Sequence, residues 1–173
     1  MIGALSKTHE NPLNYLYRYI TKCCFQYSQS PILRVFQLFL IIQVPAIVFV
    51  AIINIIFSDR VASTIENGTA ELIMITIVSP AIETLMIALG YGICHSFSVS
   101  KRRTLAINAI FFALIHGFLN PVRFIPALWA FLFFCSAYQI GNTQSFARGF
   151  FLSFTLHATC NSLVIAIYLC TIR

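Results

Sequence analysis

Charge is what this chain lacks most. Only 9 % of its 173 residues are charged, against about 25 % in a soluble domain. A domain of this length exposes too much surface for so few charges to serve in water. Acids are the scarcest: Glu10, Asp59, Glu66, Glu71 and Glu83 are all there are. The single aspartate, Asp59, falls in the polar stretch 58–70, so an aspartyl protease dyad cannot form. No HExxH zinc motif and no GxSxG serine elbow occurs. The six cysteines make no CxxC pair and no zinc-finger spacing, and those within apolar runs read as small buried hydrophobes.

Apolar residues, by contrast, make up 59 % of the chain, much of it in long runs. The expected fold is all-α, a polytopic transmembrane helical bundle of about five spans, integral and multi-pass in the bilayer. Residues 33–57 form the first expected span, with Pro45 inside it, and 71–98 the second, with Pro80 inside it. Lys101-Arg102-Arg103 stops the second span. A third is expected at about 104–119, a fourth at 125–140 and a last at 147–172, with Asn120-Pro121 and Gly141-Asn142 as turns. Residues 1–32 form a separate tail: Leu13, Tyr17, Ile20, Cys24 and Tyr27 recur at helical spacing, as in a helix lying in the membrane interface. The spans from 33 to 173 form one domain. Cys23-Cys24 offers an acylation site beside it. Asn67-Gly68-Thr69 matches a glycosylation sequon.

The net charge of +6 points to the lipid bilayer rather than to nucleic acid, because the basic residues cluster at span ends. Lys7, Arg18, Lys22, Arg34, Lys101, Arg102, Arg103 and Arg148 fall on one side of a five-span arrangement. Arg60, Arg123 and Arg173 fall on the other. The bias predicts an N-terminus inside and a C-terminus outside. At 1.5 Å per residue, Glu83 then lies roughly 24 Å from the inner end of its span, His116 roughly 18 Å, His157 roughly 15 Å and Asn161 roughly 21 Å.

Glu83 is the one acid inside an apolar span. A carboxylate at mid-bilayer costs about 2.5–3.5 kcal/mol or more, and such residues commonly serve function. Phe112 and His116 share a helix face at i, i+4, and so do His157 and Asn161. Polar glue between helices accounts for any one of these groups alone. Together, on three separate spans at similar depth, they suit chemistry. A glutamate can act as general base on water, with a histidine to orient it. A second histidine and an amide can donate to the oxyanion of a tetrahedral intermediate. Glu83, His116 and His157 are also a zinc ligand set, and the two histidines could serve a haem or metal carrier.

The order Pro-x-x-Glu, Phe-x-x-x-His, His-x-x-x-Asn on successive apolar helices resembles the CPBP family of intramembrane proteases. That family includes CAAX prenyl endopeptidases and bacterial bacteriocin-processing and self-immunity proteins. The likeness covers about 75–170, and the first span carries no diagnostic residue. It implies an intramembrane endopeptidase acting on a membrane-associated protein or peptide, with a prenylated CAAX-type tail among the candidate substrates. Glu83 would be the water-activating base, and His116, His157 and Asn161 would complete the site. No cofactor is expected, with zinc as the alternative. The family's first motif reads Glu-Glu-x-x-x-Arg; here its second Glu and its Arg fall on Thr84 and Ala88. A catalytically inactive immunity or scaffold protein of the same fold is the alternative function.

His95 lies about 120° around the helix from Glu83 at 100° per residue and reads as structural. Asn108, two turns before His116, is placed to line a water path. Trp129 and the phenylalanines read as core or lipid-facing.

Overall fold

A computed structural model describes residues 31–56 and 69–171, together with Tyr15, Arg18 and Tyr19. Those last three are helical and exposed. The rest of the expected interfacial helix, the 58–68 part of the expected loop and the Asn67 sequon lie outside the described residues.

The described chain is an all-α bundle. Helix α1 is Pro31–Ile56. Helix α2 runs Thr69–Ser96, α3 Lys101–Leu119, α4 Phe124–Asn142 and α5 Phe146–Thr171. Four stretches are long and apolar enough to cross a membrane: Thr69–Ser96, Lys101–Leu119, Pro121–Asn142 and Phe146–Ile167. In α1 the described side chains contribute a shorter apolar stretch, Phe36–Pro45. The turns follow local chemistry. Ser98, at φ 55°, closes α2 in a Schellman arrangement: Val99 N donates to Cys94 O and Ser98 N to His95 O, both at 2.9 Å. Asn120 Oδ1 accepts from Val122 N at 3.1 Å ahead of Pro121, starting a 3₁₀ turn that leads into α4. Ser145 Oγ accepts from Arg148 N at 3.1 Å and starts α5.

Helix α4 is the centre of the bundle. Half of its most apolar window is buried, against 17 % for α2, and it packs on all four other helices. Its Phe131, Phe133, Phe134 and Cys135 join Phe112, Ile42, Ile87 and Leu156 in the core. Phe112 stacks on Phe131 with centroids 4.5 Å apart and planes 4° off parallel. Such a pair adds about 0.5–1.5 kcal/mol beyond its buried area. In a membrane, where the surroundings are as apolar as the core, close approach matters more. Gly141 and Gly149 provide it at the α4–α5 turn: a Cβ on Gly141 would lie 2.6 Å from Gly149 Cα.

Two prolines interrupt the helical hydrogen bonding, and both carbonyls left over are capped from another helix. Pro45 has no N–H to offer Ile41 O, four residues earlier. The Trp129 indole of α4 donates to that oxygen at 3.2 Å. Trp129 therefore holds α1 to α4 rather than merely filling space.

Pro80 acts differently. Met74–Val78 is a π-helical turn, and Ser79 N donates to Met74 O rather than to Ile75 O. In that i, i+5 register the partner of Ile75 O would be Pro80, which has no N–H. Asn161 Nδ2 of α5 donates to Ile75 O at 2.9 Å instead.

Candidate functional site

The π turn delivers Glu83 to α5. Ser79, one turn earlier, donates to Glu83 Oε1 at 2.7 Å and fixes one carboxylate oxygen. The other, Oε2, lies 3.6 Å from His157 Nε2. Only 17 % of the Glu83 side chain and 5 % of the His157 side chain are exposed, so this pair is screened by protein rather than by water. His157 and Asn161, one turn apart on α5, both face α2: one meets the carboxylate and the other Ile75 O.

Aromatic rings hold the imidazoles in place. His157 stacks on Phe134 with centroids 4.2 Å apart and planes 19° off parallel. It meets Phe131 edge-on at 5.5 Å. His116 packs on the same Phe131 at 5.3 Å. Its Nδ1 lies 2.9 Å from Phe112 O. A carbonyl only accepts, so Nδ1 carries a proton and donates it to this oxygen.

His116, His157 and Asn161 line one cavity of about 240 Å³, together with Gln43, Arg123, Phe131 and Phe134. The cavity admits several waters at about 30 Å³ each. Glu83 is not on its wall; the carboxylate reaches the cavity through His157. The four expected site residues are thus brought to one place, in two tiers.

Not every polar group here is satisfied. Glu83 Oε2 and His157 Nδ1 are buried without a hydrogen-bond partner among the described residues, as are Thr84 Oγ1 and Ser153 Oγ. Buried polar atoms are nearly always paired, and an unpaired one costs about 1–3 kcal/mol. No family model, curated protein or solved structure matches the chain. The resemblance to the CPBP family therefore rests on the motif residues alone. Among the described residues no three His, Cys, Asp or Glu side chains converge as a metal-binding group.

Several residues of the site were not singled out in the sequence. Ser79 was legible as the i−4 neighbour of Glu83. Gln43 comes from the first span, which carries no family motif, and its Nε2 donates to Cys160 O at 2.9 Å. Arg123 counted there only as an orienting charge, yet it lines the cavity. Asn108 departs from expectation. It is buried, its Nδ2 donates to Thr104 O at 2.9 Å, and its amide lies against Gly90, where any Cβ would collide with it. It fits α3 to α2 and does not line the cavity. His95 is exposed near the end of α2, away from the site.

Proposed function

We propose that the chain is a multi-pass intramembrane endopeptidase of five spans, N-terminus inside, acting on a membrane-associated peptide or protein. Glu83 is the base and acts through His157, which takes the proton from a cavity water and relays it to the carboxylate. The hydroxide attacks a peptide carbonyl in the cavity, and the proton passes to the leaving amine. His116 sits at the cavity wall, where its ring can orient the water or the carbonyl. Asn161 holds α2 in the register that presents Glu83 to His157.

One observation carries this reading: the Glu83–His157 pair is buried, close and left unsatisfied at Glu83 Oε2 and His157 Nδ1. Thr84 Oγ1 and Ser153 Oγ are buried and unpaired as well; what sets Glu83 and His157 apart is that they are titratable and within 3.6 Å of each other. A carboxylate held against a cavity-lining histidine, each with one unpaired polar atom, suits a site that binds water and substrate in turn.

A specific observation also favours the inactive alternative. The Asn161 amide is engaged with a helix carbonyl, and Thr84 and Ala88 stand where the resemblance expects a Glu and an Arg. The two readings separate by incubating a lipid-linked peptide library with the wild type and with Glu83→Gln. Cleavage by the wild type that survives a strong zinc chelator, and falls at least about 100-fold in Glu83→Gln, supports the peptidase. A wild type that cleaves nothing, alongside an equally folded Glu83→Gln, supports the scaffold.

A further inference from the structure

A second cavity, of about 820 Å³, lies at the Lys101 end of the bundle, away from Arg123. Its size falls within the range of about 300–1,000 Å³ typical of ligand sites. Leu85, Ala88, Leu89 and Ile93 of α2 form an apolar lane along it, with Phe146 of α5 opposite. His95, Ser96, Lys101, Asn142 and Thr143 form its mouth. From Leu85 to Ser96 the lane is about 16 Å long, close to half of the roughly 30 Å hydrocarbon core. The groove thus spans one leaflet, with its polar end beside Lys101-Arg102-Arg103, where headgroups lie.

Gly92 sits on the wall between lane and mouth. A Cβ there would meet nothing within 4 Å, so packing of this chain does not require glycine, in contrast to Gly141. Glycine is a poor helix former, and its effect here is to widen the groove. Among the described residues no carboxylate lines the mouth, and Ser96 and Thr143 donate their hydroxyl protons to Ile93 O at 2.8 Å and Ile140 O at 2.7 Å. The one fixed charge among the lining residues is the Lys101 cation, with the polar side chains of His95 and Asn142 beside it, a mouth that complements an anion.

We propose that this groove binds an anionic glycerophospholipid, with its phosphate at Lys101 and Asn142 and one acyl chain along Leu85, Leu89 and Ile93. The site is separate from the Glu83–His157 pair and does not depend on the proposed hydrolysis.

The full chain is reconstituted with equal amounts of dioleoyl-phosphatidylglycerol and dioleoyl-phosphatidylcholine, and retained lipid is read by native mass spectrometry. The wild type is expected to retain phosphatidylglycerol about fivefold over phosphatidylcholine. Lys101→Gln should retain the two alike. Gly92→Leu, which fills the lane, should lose bound lipid at an unchanged or higher melting temperature. sn-Glycerol 3-phosphate in the buffer should not displace the lipid. The proposal is overturned if the wild type shows no preference, if a folded Gly92→Leu retains lipid as the wild type does, or if glycerol phosphate alone displaces it. Should Gly92→Leu fail to fold, an unchanged preference in Lys101→Gln, at an exposed position, overturns it equally.

Discussion

The two proline breaks pose the same problem and receive different answers. In α1, Pro45 frees Ile41 O, and the Trp129 indole caps it. In α2, Pro80 lies just beyond a π turn, Ile75 O is freed, and Asn161 caps it. Each cap spares an orphaned carbonyl that would cost several kcal/mol in hydrocarbon. Beside the Pro45 break, Gln43 reaches the same cavity as His116 and His157, but among the described residues no titratable side chain lies within one turn of Pro45. The Pro80 break has Ser79 immediately before it and Glu83 three residues after it, and the helix that repairs it also carries His157. The first repair holds two helices together. The second holds two helices together and sets where a carboxylate points. A proline in a span is therefore informative when the side chain that mends it shares a helix face with a titratable group.

The largest expected effect comes from Thr84. Its side chain is fully buried, one residue past Glu83. Thr84→Glu places an unpaired carboxylate there, at an expected cost of about 3–5 kcal/mol, and should nearly abolish accumulation of folded protein in membranes. Adding Ala88→Arg one turn on, within ion-pair reach, should restore part of it. Normal levels of Thr84→Glu alone would mean that α2 has more room at this position than the structure gives it.

Removing each proline sharpens the contrast. Pro80→Ala supplies the missing N–H, lets α2 regain a regular register and releases Asn161. Thermal melts should show equal or greater stability, by up to about 3 kcal/mol, while peptide cleavage falls at least tenfold. Pro45→Ala should raise stability similarly and leave cleavage unchanged. Equal effects of the two on cleavage would erase the distinction between the breaks.

A smaller effect is expected at the α2–α3 turn. Ser98 occupies the left-handed region at φ 55°, which costs a side-chain-bearing residue about 1–2 kcal/mol. Ser98→Gly should stabilise the protein by about 1 kcal/mol in a thermal melt, without affecting cleavage. A destabilised Ser98→Gly would show that the serine side chain contributes more than its backbone strain costs.

Much of the architecture was legible because the hydrophobic runs are long. The helices begin and end within a few residues of the expected spans, at Lys101 rather than about 104 and at Asn142 rather than about 140. The i, i+4 pairing of His157 with Asn161 correctly placed both on one face. What stayed out of reach depended on which helices meet. Nothing local to Asn161 says that its amide would cap Ile75 O, some 86 residues away in sequence. Trp129 read as core or lipid-facing because a lone indole carries no periodic signal. Asn108 was expected on a water path because its face was identifiable; Gly90 opposite it, which turns that face into a helix contact, was not. The π turn was hinted at by Pro80, but proline alone does not distinguish a kink from a change of register.

The measurement that bears most directly on the difference between the two repairs compares Asn161→Ala with Trp129→Phe. Each removes one interhelical hydrogen bond, worth on average about 0.6 kcal/mol in a membrane, so the two should melt at similar temperatures below the wild type. If the Pro80 repair positions the catalytic pair, Asn161→Ala loses peptide cleavage while Trp129→Phe keeps it. Loss of cleavage in both variants, in proportion to their loss of stability, would contradict this and reduce Asn161 to glue.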